Sequence, residues 1–181
     1  MRALPKTMTT RPHHAQDSSR DIRSFLEKIV VSAGIGRLSQ LPNFEEKALP
    51  QLARDLGLIA AQKPRVARAK KSIAGFKIRE GQIVGLAVTL RRKKMVDFFE
   101  RFITIVLPRV KDFSGIDPRT VDERGALNVG IKEHVVFPEI APEDSPLSFS
   151  LGVAIVPRVK HRGAALLKYR ELGVPLKGNK Q

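Results

Sequence analysis

Ile83-Val84-Gly85-Leu86-Ala87-Val88-Thr89-Leu90-Arg91-Arg92-Lys93-Lys94-Met95-Val96-Asp97-Phe98-Phe99-Glu100-Arg101-Phe102-Ile103-Thr104-Ile105-Val106-Leu107-Pro108 changes its period halfway along. In its first half Leu86, Val88 and Leu90 alternate with Ala87, Thr89 and Arg91. That is the period of two of a strand whose two faces differ. From Met95 the apolar residues return as Phe98, Phe99, Phe102, Ile103 and Val106, one stripe of an amphipathic helix. The stretch therefore predicts a strand over 83–92 and a helix from Met95 that stops at Pro108, which has no N–H to continue the ladder. The aromatic stripe is read as core.

Two further segments share the strand's pattern. Leu127, Val129 and Ile131 oppose Ala126, Asn128 and Gly130; Phe149, Leu151, Val153 and Ile155 oppose Ser148, Ser150, Gly152 and Ala154. Strands are expected over 126–132 and 148–156, with their bulky faces buried against helices. The opposite face is small and weakly polar. It is either covered by another helix or loop, or is a flat platform that lets a polyanion approach the backbone, with Thr89, Arg91 and Asn128 supplying hydrogen bonds. A strand over 25–31 runs into the turn Gly34-Ile35-Gly36. Asn43 and Glu46 form a plausible capping pair. Pro50 either kinks the helix that follows or starts it, and Gly57 ends it. A short strand over 65–69, a loop over 72–81 and a helix over 163–172, with Gly173 past its end, complete the pass.

The chain has 181 residues, 33 Lys and Arg against 18 Asp and Glu, and no cysteine. It is long enough for one cored domain: an arm over 1–20, a domain over 21–175 and a basic tail over 176–181. The arm shows no periodicity. Without cysteine there is no disulfide framework, thiolate metal site or cysteine nucleophile. No apolar run is long enough to span a membrane. The positive charge is concentrated: residues 62–94 carry eleven Lys and Arg against Glu80 alone, whereas 95–157 are net acidic. Such density points to a polyanion. There is one Tyr and no Trp, and most of the nine Phe belong to the core. Base stacking then cannot dominate, and the expected target is a structured nucleic acid read through phosphates, sugars and shape.

Catalytic patterns are missing. His13, His14, His134 and His161 have no metal spacing on an expected element, and there is neither a phosphate loop nor a nucleophile elbow. Gly34-Ile35-Gly36-Arg37-Leu38-Ser39 half-matches a dinucleotide fingerprint, but no helix opens at its glycines. No cofactor is expected.

Several spaced strings carry a family resemblance. They are Gln62-Lys63-Pro64; Ala69-Lys70-Lys71-Ser72-Ile73-Ala74-Gly75-Phe76-Lys77-Ile78-Arg79-Glu80-Gly81; Val88-Thr89-Leu90-Arg91; Phe98-Phe99-Glu100-Arg101-Phe102-Ile103-Thr104-Ile105; Leu107-Pro108-Arg109; Lys111-Asp112-Phe113; and Phe137-Pro138-Glu139-Ile140. Together they resemble ribosomal protein L-five, the bacterial-type large-subunit family that binds 5S rRNA. The resemblance implies an α+β fold, an antiparallel sheet with helices packed on one face, the other face open to RNA, and a long basic loop. It implies a structural, non-enzymatic role in the central protuberance, attaching 5S rRNA to 23S-type rRNA among other large-subunit proteins. The ribosome would be cytoplasmic or organellar, with no membrane. The family's 5S contacts fall here on Gln62, Thr89 and Arg91, with Ser32 where the family usually has Asn. Composition adds Lys63, Lys70 and Arg92.

The family's loop reaches P-site tRNA. Here it reads Lys71, Ser72, Ile73, Ala74, Gly75, Phe76, Lys77, Ile78 and Arg79. Gly75 would let the backbone bend close, and Phe76 is either a local core anchor or a tRNA contact. The family also bridges to the small-subunit protein S-thirteen, for which the acidic stretch 112–144 is the expected side. The family's long first helix is expected to be shortened or replaced by the arm, and its usual Phe-Asp-Gly-Arg-Gly-Asn-Tyr reads Val121-Asp122-Glu123-Arg124-Gly125-Ala126-Leu127. The remaining alternatives are a free-standing nucleic-acid-binding regulator, which would bind many RNAs and DNAs equally, and an RNA enzyme, which would need a turnover.

Overall fold

A computed structural model describes residues 14–40, 42–76 and 78–178. The elements run α1 (His14–Phe25), β1 (Leu26–Gly34), α2 (Leu49–Ala60), β2 (Arg65–Arg68), β3 (Ile83–Leu90), α3 (Arg92–Arg101), α4 (Leu107–Arg109), β4 (Leu127–Ile131), β5 (Leu151–Pro157) and α5 (Arg162–Glu171). The strands form one sheet in the order β2-β3-β1-β5-β4, and every neighbouring pair is antiparallel. The fold is α+β with an open antiparallel sheet, as the resemblance implied.

Alternation decides which face is covered. Leu26, Ile29, Val31, Leu86, Val88, Leu90, Leu127, Val153 and Ile155 are buried and meet Leu52, Leu56, Ile59, Phe98, Phe99 and Phe102 from the helices. Phe98, Phe102 and Phe137 stack with centroids 5.8 to 6.4 Å apart, so the aromatic stripe is core. At the far end Tyr169 on α5 donates to the carbonyls of Gly125 and Ile155 at 3.0 and 3.1 Å, which satisfies a hydroxyl buried with its ring. Burial pushes its pKa far above the usual phenol value. Gly125 has φ +82, and a Cβ there would lie 2.8 Å from that of Ala165, so only glycine fits.

Helix α1 departs from expectation. Residues 14–20 are helical rather than part of a structureless arm; residues 1–13 lie outside the described ones. Among its described side chains Ile22 and Phe25 are the buried apolar anchors, too few to show a period. Ser19 Oγ donates to Glu100 Oε1 at 2.6 Å and ties α1 to α3.

Pro108 departs from expectation, whereas Pro50 meets one of its two readings as the start of α2, which runs past Gly57 to Ala60; one local device serves both prolines. A π turn at Phe44–Ala48 leads into α2, with Pro50 its second residue; another at Phe102–Val106 leads into α4, with Pro108 its second residue. In each case the residue before the proline donates five residues back, Leu49 to Phe44 and Leu107 to Phe102. The widened turn removes the clash a proline ring makes with the carbonyl four residues earlier. Helical structure therefore passes through Pro50, and it passes through Pro108 to Arg109 instead of stopping. Asn43 makes no side-chain cap: it sits at φ 55 and opens a π turn, so the expected pair with Glu46 does not form. Strand β1 extends to Gly34, three residues past its expected end, and β5 starts at Leu151, three residues late. Gly173, at φ +79, follows α5 as its left-handed terminator.

Candidate nucleic-acid interface

The strand registers turn the open face into rows. One row runs Arg65, Ala87, Ser32, Gly152, Gly130 from β2 to β4; the next runs Thr89, Val30, Ala154, Asn128. Ser32, Thr89, Asn128 and Gly130 are exposed, and no described element covers them. Of the two readings of the small face, cover by another helix or loop is not met among the described residues, so the face is open. A Cβ on Gly152 would sit 3.2 Å from Ser32 Oγ, which itself donates to the Gly152 carbonyl at 3.4 Å. A Cβ on Gly34 or Gly130 would meet nothing. These glycines line a shallow depression of about 410 Å³ with Ser32, Lys132, Ser150 and Gly152. A backbone so bare can be approached closely by a sugar–phosphate chain, with Lys132 and Arg65 at opposite edges to meet phosphates.

The expected contact residues fall into groups. Gln62 Nε2 donates to the Thr89 carbonyl at 3.4 Å, so Gln62 and Thr89, 27 residues apart, share one corner with Lys63. Ala61 makes this possible: its φ of 48 ends α2 and swings the chain to Gln62. Arg91 follows Thr89 on the same strand face, with its guanidinium 3.9 Å from Glu27. Both side chains are about half exposed, so that pair holds little energy and Arg91 can turn to a ligand. Arg92 is different: its φ of 55 turns the chain off the face into α3, a conformation that costs a non-glycine roughly 1–2 kcal/mol. Ser32 stands in the middle of the sheet, apart from that corner. Lys70 belongs with the loop, since the neighbouring Ala69 N–H donates to Gln82 at the loop's base.

The basic loop has internal structure. Ile73 and Ile78 pair across it, Ala74–Phe76 form a 3-10 turn, and Glu80 N–H donates to Ser72 Oγ at 2.9 Å. Gln82 Oε1 accepts from Arg79 N–H at 3.0 Å, and its Nε2 donates to Ser39 Oγ at 2.8 Å, fastening the neck to the turn after β1. Phe76 is 72% exposed and Ile73 48%, so Phe76 is no core anchor. Gly75 has no left-handed φ and open space beside it, so the loop's own path does not require glycine there. Lys71 and Arg79 are exposed; Lys77 lies outside the described residues.

Gly130, Ser150 and Gly152 belong to the small face read from the alternation in β4 and β5, whereas sequence reading did not single out Lys132, which joins them at the depression. It also missed the setting of His134. This ring is fully buried; Nε2 lies 2.8 Å from Ser145 Oγ, which donates to Asp55 Oδ2 at 2.7 Å. Phe149 N–H points at Nδ1, and the Phe149 ring stacks at 4.1 Å. The arrangement holds the neutral ring with its proton on Nε2, and burial lowers its pKa against the attraction of Asp55. It is a structural tie between α2 and the 133–149 segment, sealed from any substrate. Among the described residues no group of side chains could hold a metal ion, and no helix is long and apolar enough to cross a membrane.

Comparison with known sequences agrees with this geometry. Residues 24–79 match the family described as ribosomal protein L5, and residues 83–176 match the C-terminal part of the ribosomal L5P family. The chain is 42% identical over 156 residues to the large ribosomal subunit protein uL5 of Chlorobaculum tepidum, 86% of this chain and 83% of that protein. It is 46% identical over 154 residues to uL5c of Cyanidium caldarium, 84% and 82% of the two chains. The uL5 protein of Rubrobacter xylanophilus is 44% identical over 154 residues, 85% and 83%.

Proposed function

This chain belongs to the ribosomal protein L5 family, structural and non-enzymatic constituents of the large ribosomal subunit, and from that premise we propose that its open sheet face binds 5S rRNA and helps attach it to the 23S-type rRNA. The observation that carries this reading is the uncovered row Arg65, Ala87, Ser32, Gly152, Gly130, beside the corner where Gln62 meets Thr89. RNA helices are read by shape and 2′-hydroxyls across a shallow groove, and a smooth floor with cations at its edges suits that mode. Gln62, Thr89 and Ser32 offer hydrogen bonds, and Arg91, Lys63 and Arg65 offer phosphate contacts. Ser32 has a shorter reach than the Asn usual at its position, so its part in binding is small.

The loop over 71–79, with Phe76 and Ile73 outward, reaches toward P-site tRNA in this reading. Lys70, placed at the neck of that loop, serves the loop and not the sheet face. The exposed acids Glu133, Glu143 and Asp144 face the small-subunit protein S-thirteen across the intersubunit bridge. The three-part organisation moves at its first boundary: α1 makes residues 14–20 continuous with the binding domain that runs to 175, and 176–181 form a basic tail, of which 179–181 lie outside the described residues, as do 1–13.

Titration against 5S rRNA, an equal-length DNA duplex and a tRNA across a salt series tests the central claim. Binding by charge alone decays with a slope of about −0.9 per neutralised phosphate for duplex DNA. The expected result is that 5S rRNA stays bound at salt that releases the other two, and that Thr89→Ala with Arg91→Ala removes the difference. Equal decay of all three would reduce the face to a general polyanion surface, the behaviour of a free-standing regulator.

A further inference from the structure

Strand β2 is an edge of the sheet: β3 pairs with one side of it, and among the described residues no strand pairs with the other. An edge strand turns alternate N–H and C=O groups outward, so β2 offers an unfilled ladder. Its side chains divide by face. Arg65 lies across from Ala87 on the open face, whereas Val66 lies across from Leu86, which is buried under the helices. Val66 is nevertheless 37% exposed. It forms one wall of a groove of about 440 Å³ between β2 and α2, and Pro50, Ala53, Gly57 and Pro64 form others. These side chains present carbon and no hydrogen-bonding group. The lining adds two cations, Arg54 and Lys63, and no carboxylate.

Charge says what fits there. Over residues 49–68, Arg54, Lys63, Arg65 and Arg68 stand against Asp55 alone, and Asp55 is buried and accepts from Ser145. Arg54, Lys63 and Arg65 form no ion pair among the described residues. A second copy of this chain is a poor occupant. Antiparallel pairing of two β2 strands about their middle would set Arg65 against Arg68, and like charges directly opposite destabilise a ladder. RNA is poorly matched too, because the groove holds no aromatic ring for a base to stack on, and phosphates would leave its apolar walls unfilled.

We propose that β2 and the α2–β2 groove dock an extended acidic segment of another protein, which adds a strand to the sheet's edge. Its side chains alternate between the two faces. Those on the helical side are aliphatic and fill the groove between Pro50, Pro64 and Val66. Those on the open side and at the ends are Asp or Glu and meet Arg65, Arg54 and Lys63. Backbone hydrogen bonds supply the affinity, and the groove with its cations supplies the specificity. The docking does not depend on what the open face binds.

The test pans a phage-displayed library of random linear peptides, about seven residues long, against the full chain. The enriched peptides are expected to alternate aliphatic residues with Asp or Glu. A labelled synthetic copy of the strongest should bind about tenfold more tightly than a scrambled copy of the same composition, and should slow amide exchange within residues 65–68. Gly57→Leu plugs the groove and keeps every charge. A Cβ there stands 3.7 Å from Pro64 Cδ, an ordinary contact, so the variant should keep its urea midpoint while peptide affinity falls about tenfold. If that midpoint drops, Val66→Glu, which brings a carboxylate to the opposite wall, decides in its place. Arg65→Gln with Arg68→Gln should weaken binding and reduce its salt dependence. Enrichment without alternation, equal binding of the scrambled peptide, or an unchanged affinity in the plugged variant would leave charge attraction alone and overturn the groove. Plugging that weakens a duplex RNA and spares the peptide would give the groove to RNA, and self-association of the wild type that plugging abolishes would give it to a second copy; either result overturns the proposal.

Discussion

The two faces of the one sheet are built from adjacent residues to opposite rules. On the covered face Val31, Val88 and Val153 are buried to within 2% and interlock with phenylalanines. One residue away on the same strands Ser32, Ala87 and Gly152 present almost no side chain. The covered face gains stability from bulk, through area removed from water. The open face gains access from the lack of bulk, because a polar backbone must come close to its ligand. Stability and recognition are thereby assigned to alternate residues of each strand, and substitutions should separate them.

The largest separation is expected at Phe98, which is 2% exposed and stacks on both Phe102 and Phe137. Phe98→Ala should cost about 3–5 kcal/mol in urea unfolding, while the affinity of the remaining folded protein for 5S rRNA is unchanged. A parallel loss of affinity would break the comparison. Gly130→Leu is the converse. With open space at its Cβ it should leave the urea midpoint nearly in place, yet it should lower 5S rRNA affinity about a hundredfold, roughly 2.7 kcal/mol. If RNA tolerates that leucine, it does not lie on the β4–β5 half of the face.

Replacing residues 73–78 with two glycines keeps the neck bonds of Ser72 and Gln82. It should change 5S rRNA affinity less than threefold, while P-site tRNA binding by reconstituted ribosomes weakens. The smallest effect is expected from pH at the buried tie. His134 titrates lower in the folded chain than its unfolded value near 6.5, so the unfolded chain binds more protons in between. Stability should be full above pH 6.5 and fall as pH drops below it, by no more than about 1.4 kcal/mol per pH unit for the one proton. His134→Gln should flatten this dependence in pH-stepped urea unfolding, and a slope unchanged in that variant would assign the titration to other groups.

The sheet was legible because its alternation is strong: Leu86, Val88 and Leu90 against Ala87 and Thr89 declare both faces at once. The charge block over 62–94 was likewise visible in one dimension, whereas Phe76 stayed open between core anchor and exposed contact until the fold placed it at 72% exposure. What escaped depended on geometry that no local pattern records. Pro108 reads as a stop, and Pro50 as either a kink or a start, because a π turn upstream leaves no mark in composition. Helix α1 was hidden because among its described side chains just Ile22 and Phe25 are buried apolar anchors. Asp55, Ser145 and His134 are separated by up to 90 residues and meet only after folding. Gln62 and Thr89 came as expected contact residues from the family resemblance, but their contact at one corner depends on the left-handed turn at Ala61.

The sheet order carries a consequence for timing. Strand β1 lies between β3 and β5, and Ser32 pairs with Gly152, 120 residues later. During synthesis β1, β2 and β3 can close once Leu90 has emerged, since Ile29 pairs with Leu90; the half of the platform made by β4 and β5 cannot exist until residue 157 is made. Long-range pairing of this kind also folds slowly. A nascent chain therefore displays its loop and the Gln62–Thr89 corner well before it owns a complete floor.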